Sequence, residues 1–424
     1  MLIRKLWFLK KALKQQWMKP EELKKLQEKK LRAIIRHAYK NIPFYKKKWK
    51  KIGIKPDDIK TVEDLRKLPI ITREEIKKNW RDIIARNMGN SKYILRSTSG
   101  SSGVPLKVLF DEKAWDFLDA IYARALFAAG YRPWDKLAYY WFPPFNKTKF
   151  YELLGIMKKH WMVYTIPEEK QIERLKKINP DVIYCFPSTL YLLGKMIIRN
   201  GIDSINPRII ISHGEILTEE VRKFIETAFG AEVFDQYGST EFNRMGWECK
   251  MHEGLHIDVD SIVLEVIEFE GREQVSTGER GNVVVTGLVN RLMPFIRYKI
   301  GDIGILSDDN CQCNRAFPLL EKIEGRQDDF IVLPSGKIIA PRSIVHLIMN
   351  ITGIWKFKVL QKKKDKIEIR IVKDKKFSKN TISEIKRRMK KIIAESVDID
   401  IKVVDDIPRN KHGKLKAIES KIKI

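Results

Sequence analysis

One stretch of this chain decides how the fold is interpreted: Arg96-Ser97-Thr98-Ser99-Gly100-Ser101-Ser102-Gly103-Val104-Pro105-Leu106-Lys107. Apolar residues at 93–95 and 108–110 flank it, which predicts a strand, a turn rich in glycine and hydroxyl groups, and a second strand. The glycines allow a sharp turn and a close approach of the backbone to a ligand. Because successive backbone N–H groups in such a turn form an anion-binding concavity, the stretch predicts a phosphate-binding loop. The alternative is a solvated Ser/Gly linker. The Walker pattern does not fit, since no Gly-Lys-Ser/Thr opens a helix.

Length and composition predict a protein of two or three domains with a large buried core. The chain has 424 residues, of which 44% are apolar and ten are tryptophan. Four cysteines in this length argue against a disulfide framework and for a reducing compartment. We therefore expect a cytoplasmic protein, either monomeric or homodimeric.

The charge distribution bears on nucleic acid as a partner. The formal net charge is +28, and its excess lies at the two ends, in residues 1–60 and 356–424, whereas the segment between them is balanced. A basic protein raises the prospect of nucleic-acid binding. The basic ends resemble amphipathic helices with solvated lysine faces, so we expect no specific nucleic-acid binding.

Membrane association is the other class that the sequence raises. No apolar run approaches the ~20 residues of a transmembrane helix, and residues 1–17 lack the pattern of a signal peptide. The same segment carries an apolar stripe of Leu2, Leu6, Leu9 and Leu13, which suits either an anionic membrane surface or packing on the protein body. We expect the stripe to pack on the protein.

The order of predicted elements indicates an α/β protein. Residues 1–90 are predicted to be helical, with capping boxes at 61–64 and 72–75. Helices and strands then alternate up to residue 230, which predicts a mostly parallel sheet covered by helices. From residue 257 the pattern becomes β-rich and predicts an added antiparallel or barrel-like layer. We predict a large multi-layer domain over 1–325 and a small, mobile α+β domain over 326–424.

Three further motifs carry side chains suited to nucleotide chemistry. Residues 235–241 (DQYGSTE) are predicted to leave the end of a strand, where ligands bind in open α/β sheets; the alternative is a strand–helix turn capped by Thr240. Asp302 is predicted on a tight glycine turn, where its carboxylate could accept hydrogen bonds from ribose hydroxyls. The alternative is an aspartate with an ordinary role in a turn. Lys414 follows a glycine in a predicted loop, and its charge suits the neutralisation of a phosphate and a carboxylate in one transition state. The alternative is an ordinary solvated lysine.

Together these motifs resemble the series found in the AMP-forming adenylating enzymes, the superfamily of acyl-CoA synthetases, nonribosomal adenylation domains and luciferases. The series runs from the Ser/Thr/Gly loop through Tyr-Gly-x-Thr-Glu, Tyr-Lys-x-Gly-Asp and Gly-Arg-x-Asp-Asp to Pro-x-x-x-x-Gly-Lys. The segments at 41–45 (NIPFY) and 68–72 (LPIIT) are most similar to the phenylacetate–CoA ligase branch, especially its relatives from capsular-polysaccharide loci and those that adenylate a deazaflavin coenzyme.

The resemblance implies a set of nucleotide-binding residues. The β,γ-phosphates of ATP would be held by Ser99, Gly100, Ser101, Ser102, Gly103 and Lys107. Ser102 stands where the family usually has threonine, and the hydroxyl is preserved. The adenine and ribose would be contacted by Gly214, Glu215, Tyr237, Gly238, Asp302 and Arg326.

The resemblance also implies the chemistry. Thr240 would contact the α-phosphate, Glu241 would bind Mg²⁺, and Lys414 would stabilise the transition state of adenylation, with Asp328 as the hinge of the small domain. ATP and a carboxylic acid would give an acyl-adenylate and pyrophosphate, and the acyl group would pass to CoA. Alternatives are an adenylating enzyme with another acceptor, such as a cofactor or a sugar-pathway intermediate, and a non-catalytic binding protein on this fold.

Two groups of residues remain. Phe142, Phe186 and Tyr237 suggest an apolar or aromatic acyl pocket, although such residues at strand ends are also common in cores. Soft ligands suited to zinc are supplied by Cys249, His256, Cys311 and Cys313, with His252 as a substitute for His256. The Cys-x-Cys spacing is shorter than the Cys-x-x-Cys spacing usual in zinc sites, so the alternative is a set of cysteines that bind no metal. Similar cysteines in relatives of this branch imply a structural zinc site. We predict that Cys185 lies in the core.

Overall fold

The computed structural model describes residues 2–88, 92–98, 105–141, 150–349, 351–410 and 414–422. The helices in these ranges are α1 (Leu2–Gln15), α2 (Pro20–Asn41), α3 (Pro43–Lys51), α4 (Arg73–Lys78), α5 (Glu112–Ala128), α6 (Phe150–Leu153), α7 (Glu168–Ile178), α8 (Pro187–Asn200), α9 (Glu219–Phe229), α10 (Pro341–Met349) and α11 (Lys379–Ile393). The strands are β1 (Tyr93–Ser97), β2 (Lys107–Asp111), β3 (Leu137–Tyr140), β4 (Lys159–Met162), β5 (Val182–Cys185), β6 (Ile209–His213), β7 (Glu232–Ser239), β8 (Asn243–Trp247), β9 (Leu255–Ile257), β10 (Ile262–Ile267), β11 (Arg280–Gly287), β12 (Tyr298–Leu306), β13 (Leu319–Arg326), β14 (Ile331–Val332), β15 (Ile338–Ile339), β16 (Ile354–Lys363), β17 (Lys366–Lys373), β18 (Asp398–Val403) and β19 (Ile418–Ser420).

The chain divides into two compact units. The first contains Met1–Gly130 and Gln236–Ile323, and the second contains Tyr131–Asp235 and Glu324–Ile424. The predicted domain boundary at residue 325, together with the movement of the segment beyond it, stays a prediction. Among the described residues, no helix is long and apolar enough to cross a membrane.

The glycine/serine stretch of the first unit is framed by two strands, as its sequence predicts. β1 and β2 are antiparallel, with pairs from Tyr93↔Asp111 to Ser97↔Lys107. The capping box at the start of α4 is also confirmed, because the backbone N–H of Glu75 donates to Thr72 Oγ1 at 3.2 Å and Thr72 N donates back to the Glu75 carboxylate at 3.1 Å. The predicted box at 61–64 overlaps only a short 3₁₀ helix, Glu63–Lys67, and Thr61 N donates to the Asp64 carboxylate at 3.0 Å.

The β-rich part of the first unit forms antiparallel pairs, as predicted. Its strands lie in the order β10-β11-β12-β13-β9-β8, and the pairs β10–β11, β11–β12, β13–β9 and β8–β9 are antiparallel. Strand β8 was not predicted, because its sequence, Asn-Arg-Met-Gly-Trp, shows no apolar alternation.

Helix α1 packs on α5 through a face that differs from the predicted one. The expectation that the leucine stripe packs on the protein is wrong for Leu2 and Leu6, which are largely exposed, while Leu9 and Leu13 are half-buried. The residues that α1 buries are Phe8, Ala12 and Gln15. Beside this buried face, Arg4 pairs with Asp116 of α5 at 2.6 Å and Lys5 pairs with Asp119 at 2.7 Å.

A buried ion cluster joins α1, α5 and the β-rich layer. Arg124, which is fully buried, donates to both oxygens of Asp260 at 2.7 and 2.9 Å and to Asp258 at 2.5 Å. It also donates to the carbonyl of Ala12 at 3.1 Å, and the indole N–H of Trp247 donates to Asp258 at 2.8 Å. This cluster fixes the β-rich layer to both helices.

The second unit contains the predicted parallel sheet. Its strands lie in the order β6-β5-β3-β4, and every adjacent pair among them is parallel. Cys185 is fully buried at the end of β5, as predicted. The C-terminal segment has an α+β arrangement of its own, in which the β16–β17 hairpin is flanked by the parallel strands β18 and β19, and its apolar residues form a separate core cluster.

Candidate functional site

The ends of the glycine/serine loop are joined by Thr98. Its backbone N–H donates to the Leu106 carbonyl at 3.0 Å, and Leu106 N donates to Thr98 Oγ1 at 2.9 Å. Lys107 is exposed at the start of β2. The other predicted phosphate ligands lie outside the described residues: Ser99, Gly100, Ser101, Ser102 and Gly103.

Arg73 stands beside this loop and was missed by the sequence reasoning. One of its terminal nitrogens donates to Thr98 Oγ1. Arg73 begins α4, and the segment before it is held by Ile71, whose N–H donates to the Arg297 carbonyl and whose carbonyl accepts from Lys299 N, both at 2.9 Å. The only available indication in the sequence was its position after the LPIIT segment that carries the family resemblance.

The Tyr-Gly-x-Thr-Glu motif forms a β-hairpin, which corrects the predicted strand end. Strand β7 continues to Ser239 and turns directly into β8, so Thr240 caps no helix. The hairpin is narrow at Gly238, where a Cβ would lie 2.3 Å from the backbone oxygen of Asn243. Glycine is therefore required here by the close approach of two backbones.

Glu241 lies in this turn, between β7 and β8, and is almost fully buried. Tyr298, the first residue of β12, donates its hydroxyl to the Glu241 carboxylate at 3.2 Å. Burial, followed by the charge of Glu241, raises the pKa of Tyr298 well above its ordinary value. The tyrosine therefore remains a proton donor to the carboxylate throughout the physiological range.

Asp302 lies on a β-bulge and not on the predicted turn. On β11, Asn282 and Val284 are separated by one residue, whereas their partners on β12, Ile303 and Lys299, are separated by three. The extra residues include Gly301, whose φ of +88° suits a glycine. The bulge lets the strand continue, and Tyr237 donates its hydroxyl to Asp302 at 2.7 Å.

Arg297 supports this arrangement from the core. Its guanidinium is buried, pairs with Glu265 at 2.9 Å and donates to the Leu68 carbonyl at 2.8 Å. Its backbone has a φ of +51°, in the left-handed region. Because Arg297 holds the segment before α4 against the start of β12, we infer that it helps to position Arg73 and Tyr298.

Lys414, in the second unit, contacts the strand end that the sequence predicts to border the adenine. Its ammonium donates to the carbonyl of Gly214 and lies 5.6 Å from the centre of the Phe186 ring. Gly214 has a φ of +74°, and a Cβ there would meet Lys414 Nζ at 3.1 Å. Glu215 accepts from Ser188 N at 3.0 Å and from Leu415 N at 3.2 Å, which fixes the lysine loop.

Aromatic side chains gather at the carboxyl ends of β3, β5 and β6. The ring of His213 lies 4.1 Å from Tyr184 and 4.7 Å from Phe186, and Tyr184 stacks on Tyr139 at 4.7 Å. Phe186 is almost fully buried in the core of this unit, whereas Tyr237 of the first unit is half-buried and Phe142 lies outside the described residues. The sequence reasoning missed His213 and Tyr184, because a buried strand alone does not reveal which of its residues meet.

The two predicted residues near the domain boundary are exposed. Arg326 ends β13, and Asp328 lies in the short 3₁₀ helix Gln327–Asp329 that follows it. The neighbouring Asp329 pairs with Lys416 at 2.7 Å. The roles of Arg326 in ribose binding and of Asp328 as a hinge stay predictions.

Four predicted zinc ligands come together in the first unit. The ligand atoms of Cys249, His256, Cys311 and Cys313 all lie within 4.8 Å of one another. The sulfurs of Cys249 and Cys311 are 3.5 Å apart, and Cys313 Sγ lies 3.3 Å from His256 Nε2. Ligands at zinc–sulfur distance on a tetrahedron would be separated by about 3.8 Å, and the two separations of 3.5 and 3.3 Å lie close to this value.

The surroundings of the cluster suit metal binding. His256 Nδ1 faces the Phe317 carbonyl at 3.3 Å, which leaves Nε2 directed at the cysteines. Burial lowers the pKa of His256 to about 4, so the imidazole is neutral. Burial opposes ionisation of Cys313, but hydrogen bonds from Arg315 outweigh it and lower the pKa of this thiol. His252 instead contacts Glu248 at 3.2 Å.

Comparisons with known proteins agree with the motifs. Residues 331–421 match the CapK C-terminal domain family. The chain is 24% identical to a phenylacetate–coenzyme A ligase from Thermus thermophilus, over 94% of this chain and 96% of that protein. It is 25% identical to the protein CapK of Staphylococcus aureus, over 95% of this chain and 90% of that protein.

The fold has a counterpart among solved structures. A 2-hydroxyisobutyryl-CoA ligase, in the postadenylation state in complex with 2-HIB-AMP, superposes with a TM-score of 0.81 at 20% identity, covering 96% of this chain and 91% of that one. The resemblance predicted from the motifs is therefore confirmed: the chain is a relative of the phenylacetate–coenzyme A ligases and of CapK, and it has the fold of the AMP-forming CoA ligases.

Proposed function

We propose that this protein is an enzyme that activates a carboxylic acid with ATP and then transfers the acyl group to CoA. In the first step a carboxylate oxygen attacks the α-phosphorus of ATP, and pyrophosphate leaves. In the second step the CoA thiolate attacks the acyl carbon, and AMP leaves. The names of the relatives support this reaction, and the chain aligns with them over nearly its full length.

One observation carries the proposal: two carboxylates of the first unit each accept a hydrogen bond from a tyrosine hydroxyl. Glu241 is bonded by Tyr298, and Asp302 is bonded by Tyr237. These bonds fix the orientation of the two side chains and leave further acceptor capacity on each carboxylate. An oriented aspartate suits a ribose diol, and an oriented glutamate suits Mg²⁺, which prefers carboxylate oxygens and phosphates.

The phosphates would be bound by the glycine/serine loop, Lys107 and Arg73. Arg73 already donates to Thr98 at the base of the loop, and a guanidinium can bind a phosphate with two parallel hydrogen bonds. Bound Mg²⁺ would neutralise charge on the phosphates as pyrophosphate forms. Thr240 would offer its hydroxyl to the α-phosphate.

Lys414 would lower the barrier to adenylation. The attacking carboxylate and the α-phosphate repel each other, and an ammonium near both offsets this repulsion in the transition state. The lysine loop is held by backbone contacts to Glu215, so the ammonium keeps its place beside the Gly214 carbonyl. The aromatic residues around His213 suit an acid with an apolar or aromatic body.

Zinc would have a structural role in this protein. We propose that Cys249, His256, Cys311 and Cys313 bind one Zn²⁺ ion. The set supplies four ligands and therefore no open position for a substrate, which is typical of structural sites. The ion would join the segment after the Tyr-Gly-x-Thr-Glu hairpin to the loop that contains Cys311.

A single experiment tests the reaction. The purified chain is incubated with ATP, Mg²⁺ and a panel of aromatic and aliphatic acids, with and without CoA, and pyrophosphate, AMP and thioester are measured. We expect acid-dependent pyrophosphate release, AMP as the nucleotide product, and thioester only when CoA is present. Absence of pyrophosphate release with every acid would contradict the proposal.

Transfer of the acyl group to an acceptor other than CoA is the second candidate function, because the C-terminal segment matches the CapK C-terminal domain family. In that case pyrophosphate would form with one of the acids, but CoA would not increase AMP release. The two arms of the experiment, with and without CoA, therefore separate the candidates.

A further inference from the structure

The outer face of α1 exposes large apolar side chains. Ile3 is 84% exposed, Leu6 57% and Trp7 56%, and Leu2, next to Ile3, is 49% exposed. These residues lie at helical spacing on one side of the helix. Exposed apolar side chains that are scattered singly need no explanation, whereas a contiguous group on one helix marks an interaction surface.

The opposite face of α1 is fixed to the protein, so the helix presents this surface rigidly. Phe8 packs edge-on against Phe117 of α5 with 5.3 Å between ring centres. Arg4 pairs with Asp116 at 2.6 Å, and Lys5 pairs with Asp119 at 2.7 Å. Two of the five cations of the helix are thereby neutralised on the side that faces α5.

The remaining charges lie with the exposed apolar group. Helix α1 contains no acidic residue, and Lys10 and Lys14 are exposed one and two turns beyond Trp7 on the same face. Lys11 lies 5.0 Å from the centre of the Trp7 ring. A helix that lies in a membrane interface buries apolar residues and tryptophan while neighbouring lysines reach the headgroups, and the exposed side of α1 offers both kinds of side chain.

We propose that α1 binds the surface of an anionic membrane. The helix lies parallel to the surface, Ile3, Leu6 and Trp7 enter the boundary between headgroups and acyl chains, and Lys10 and Lys14 reach the lipid phosphates. Charge complementarity selects this partner, because residues 1–60 carry 20 basic and 5 acidic side chains. An acidic lipid surface is attracted by the whole segment, whereas a second copy of the same basic face would be repelled.

The test is co-sedimentation of the full chain with phosphatidylcholine vesicles, with and without about one third of phosphatidylglycerol. We expect binding to the anionic vesicles that weakens with added salt. Ile3→Ser/Leu6→Ser/Trp7→Ser should reduce the partition coefficient by at least about tenfold. Lys10→Gln and Lys14→Gln should each reduce it about fivefold, and only on the anionic vesicles.

A matched control separates this surface from general stickiness. Trp134, Leu153 and Leu154 are 71%, 73% and 63% exposed, and the triple change Trp134→Ser/Leu153→Ser/Leu154→Ser should leave vesicle binding unchanged. Circular dichroism and the unfolding midpoint check that both triple variants fold. Absence of binding by the wild-type chain at low salt overturns the proposal. Equal losses of vesicle binding in both triple variants also overturn it. A dimer of the wild-type chain in sedimentation that only the α1 variant dissociates would overturn it too, because a second copy would then cover this face.

Discussion

Replacing Arg124 with methionine should destabilise the protein by stranding two buried carboxylates. Methionine fills a similar volume without a charge, so the change removes the guanidinium and little packing. In the native protein burial raises the pKa of Asp258 and Arg124 is the largest opposing influence, whereas the pKa of Asp260 is lowered because Arg124 outweighs burial. Without the arginine, the pKa values of both carboxylates should rise.

The magnitude follows from the geometry. Two unit charges about 4 Å apart interact by about 4 kcal/mol at an effective dielectric constant of 20, and Arg124 makes two such pairs. The loss per carboxylate is limited, because an aspartate can instead take a proton at pH 7 at a cost of about 4 kcal/mol. Trp247 continues to donate to Asp258, and the charge of Lys30 continues to favour ionised Asp260. We expect a loss of about 4 kcal/mol in the free energy of unfolding at pH 7.

The pH dependence provides the diagnostic result. A carboxylate whose pKa is raised in the folded state binds more protons there than in the unfolded chain, so stability falls as pH rises between the two pKa values. The deficit of the variant relative to the wild type should therefore shrink on going from pH 7 to pH 5. The slope should be about 1.4 kcal/mol per pH unit for each carboxylate that titrates. Urea unfolding of both proteins at the two pH values measures this difference.

The control removes the stranded charges together with the arginine. Arg124→Met/Asp258→Asn/Asp260→Asn should recover at least half of the lost stability at pH 7, and its deficit relative to the wild type should no longer grow from pH 5 to pH 7. A deficit below about 1 kcal/mol, or one that is equal at both pH values, would refute the assignment of this cluster as a buried ion pair.

Three further predictions concern the site. Lys414→Ala should lower the rate of adenylate formation by about 10²-fold or more, as measured by pyrophosphate exchange, and should affect thioester formation from supplied acyl-adenylate much less; equal losses would remove its proposed role. Gly238→Ala should abolish most of the activity because its Cβ would collide with Asn243 O, whereas Gly278→Ala, in open space at φ +79°, should cost only modest stability. Elemental analysis should find about one zinc per chain, and Cys311→Ser should lose the metal and lower the unfolding midpoint more than it changes ATP affinity; a chain purified gently without metal would contradict this.

Local patterns were sufficient where a residue's environment is set by its sequence neighbours. The strands on both sides of the glycine/serine loop and the capping box at Thr72 each depend on residues within a few positions, and both were predicted. The alternation of strands and helices in the second unit also determines its parallel sheet, because parallel strands need crossover connections.

Contacts between distant residues account for most of what was missed. The bulge before Ile303 depends on the register of β11, and the sequence around Asp302 alone reads as a turn. The place of Arg73 beside Thr98 depends on the bridge between Ile71 and Tyr298, far apart in the chain. In α1 the periodicity defines two faces, but the contacts with α5, among them Phe8 with Phe117 and Arg4 with Asp116, are not visible in the sequence of the helix itself.

The four proposed zinc ligands illustrate both cases. The residue types and their number were readable from the sequence, whereas the choice between His252 and His256 was not. Strand β9 places His256 opposite Leu319 of β13 and beside the cysteines, while His252 turns toward Glu248. The pairing of β9 with β13 therefore determines that His256 and not His252 lies beside the cysteines, and the spacing of residues along the chain does not reveal this pairing.

The most direct test of an acyl-adenylate intermediate follows the oxygen of the acid. The protein is given ATP, Mg²⁺, CoA and an accepted acid labelled with ¹⁸O in both carboxylate oxygens, and the products are analysed by mass spectrometry. If the carboxylate attacks the α-phosphorus and the thiol then attacks the acyl carbon, each AMP carries one ¹⁸O and pyrophosphate carries none. Unlabelled AMP, or label in inorganic phosphate with ADP as the nucleotide product, would contradict the proposed reaction.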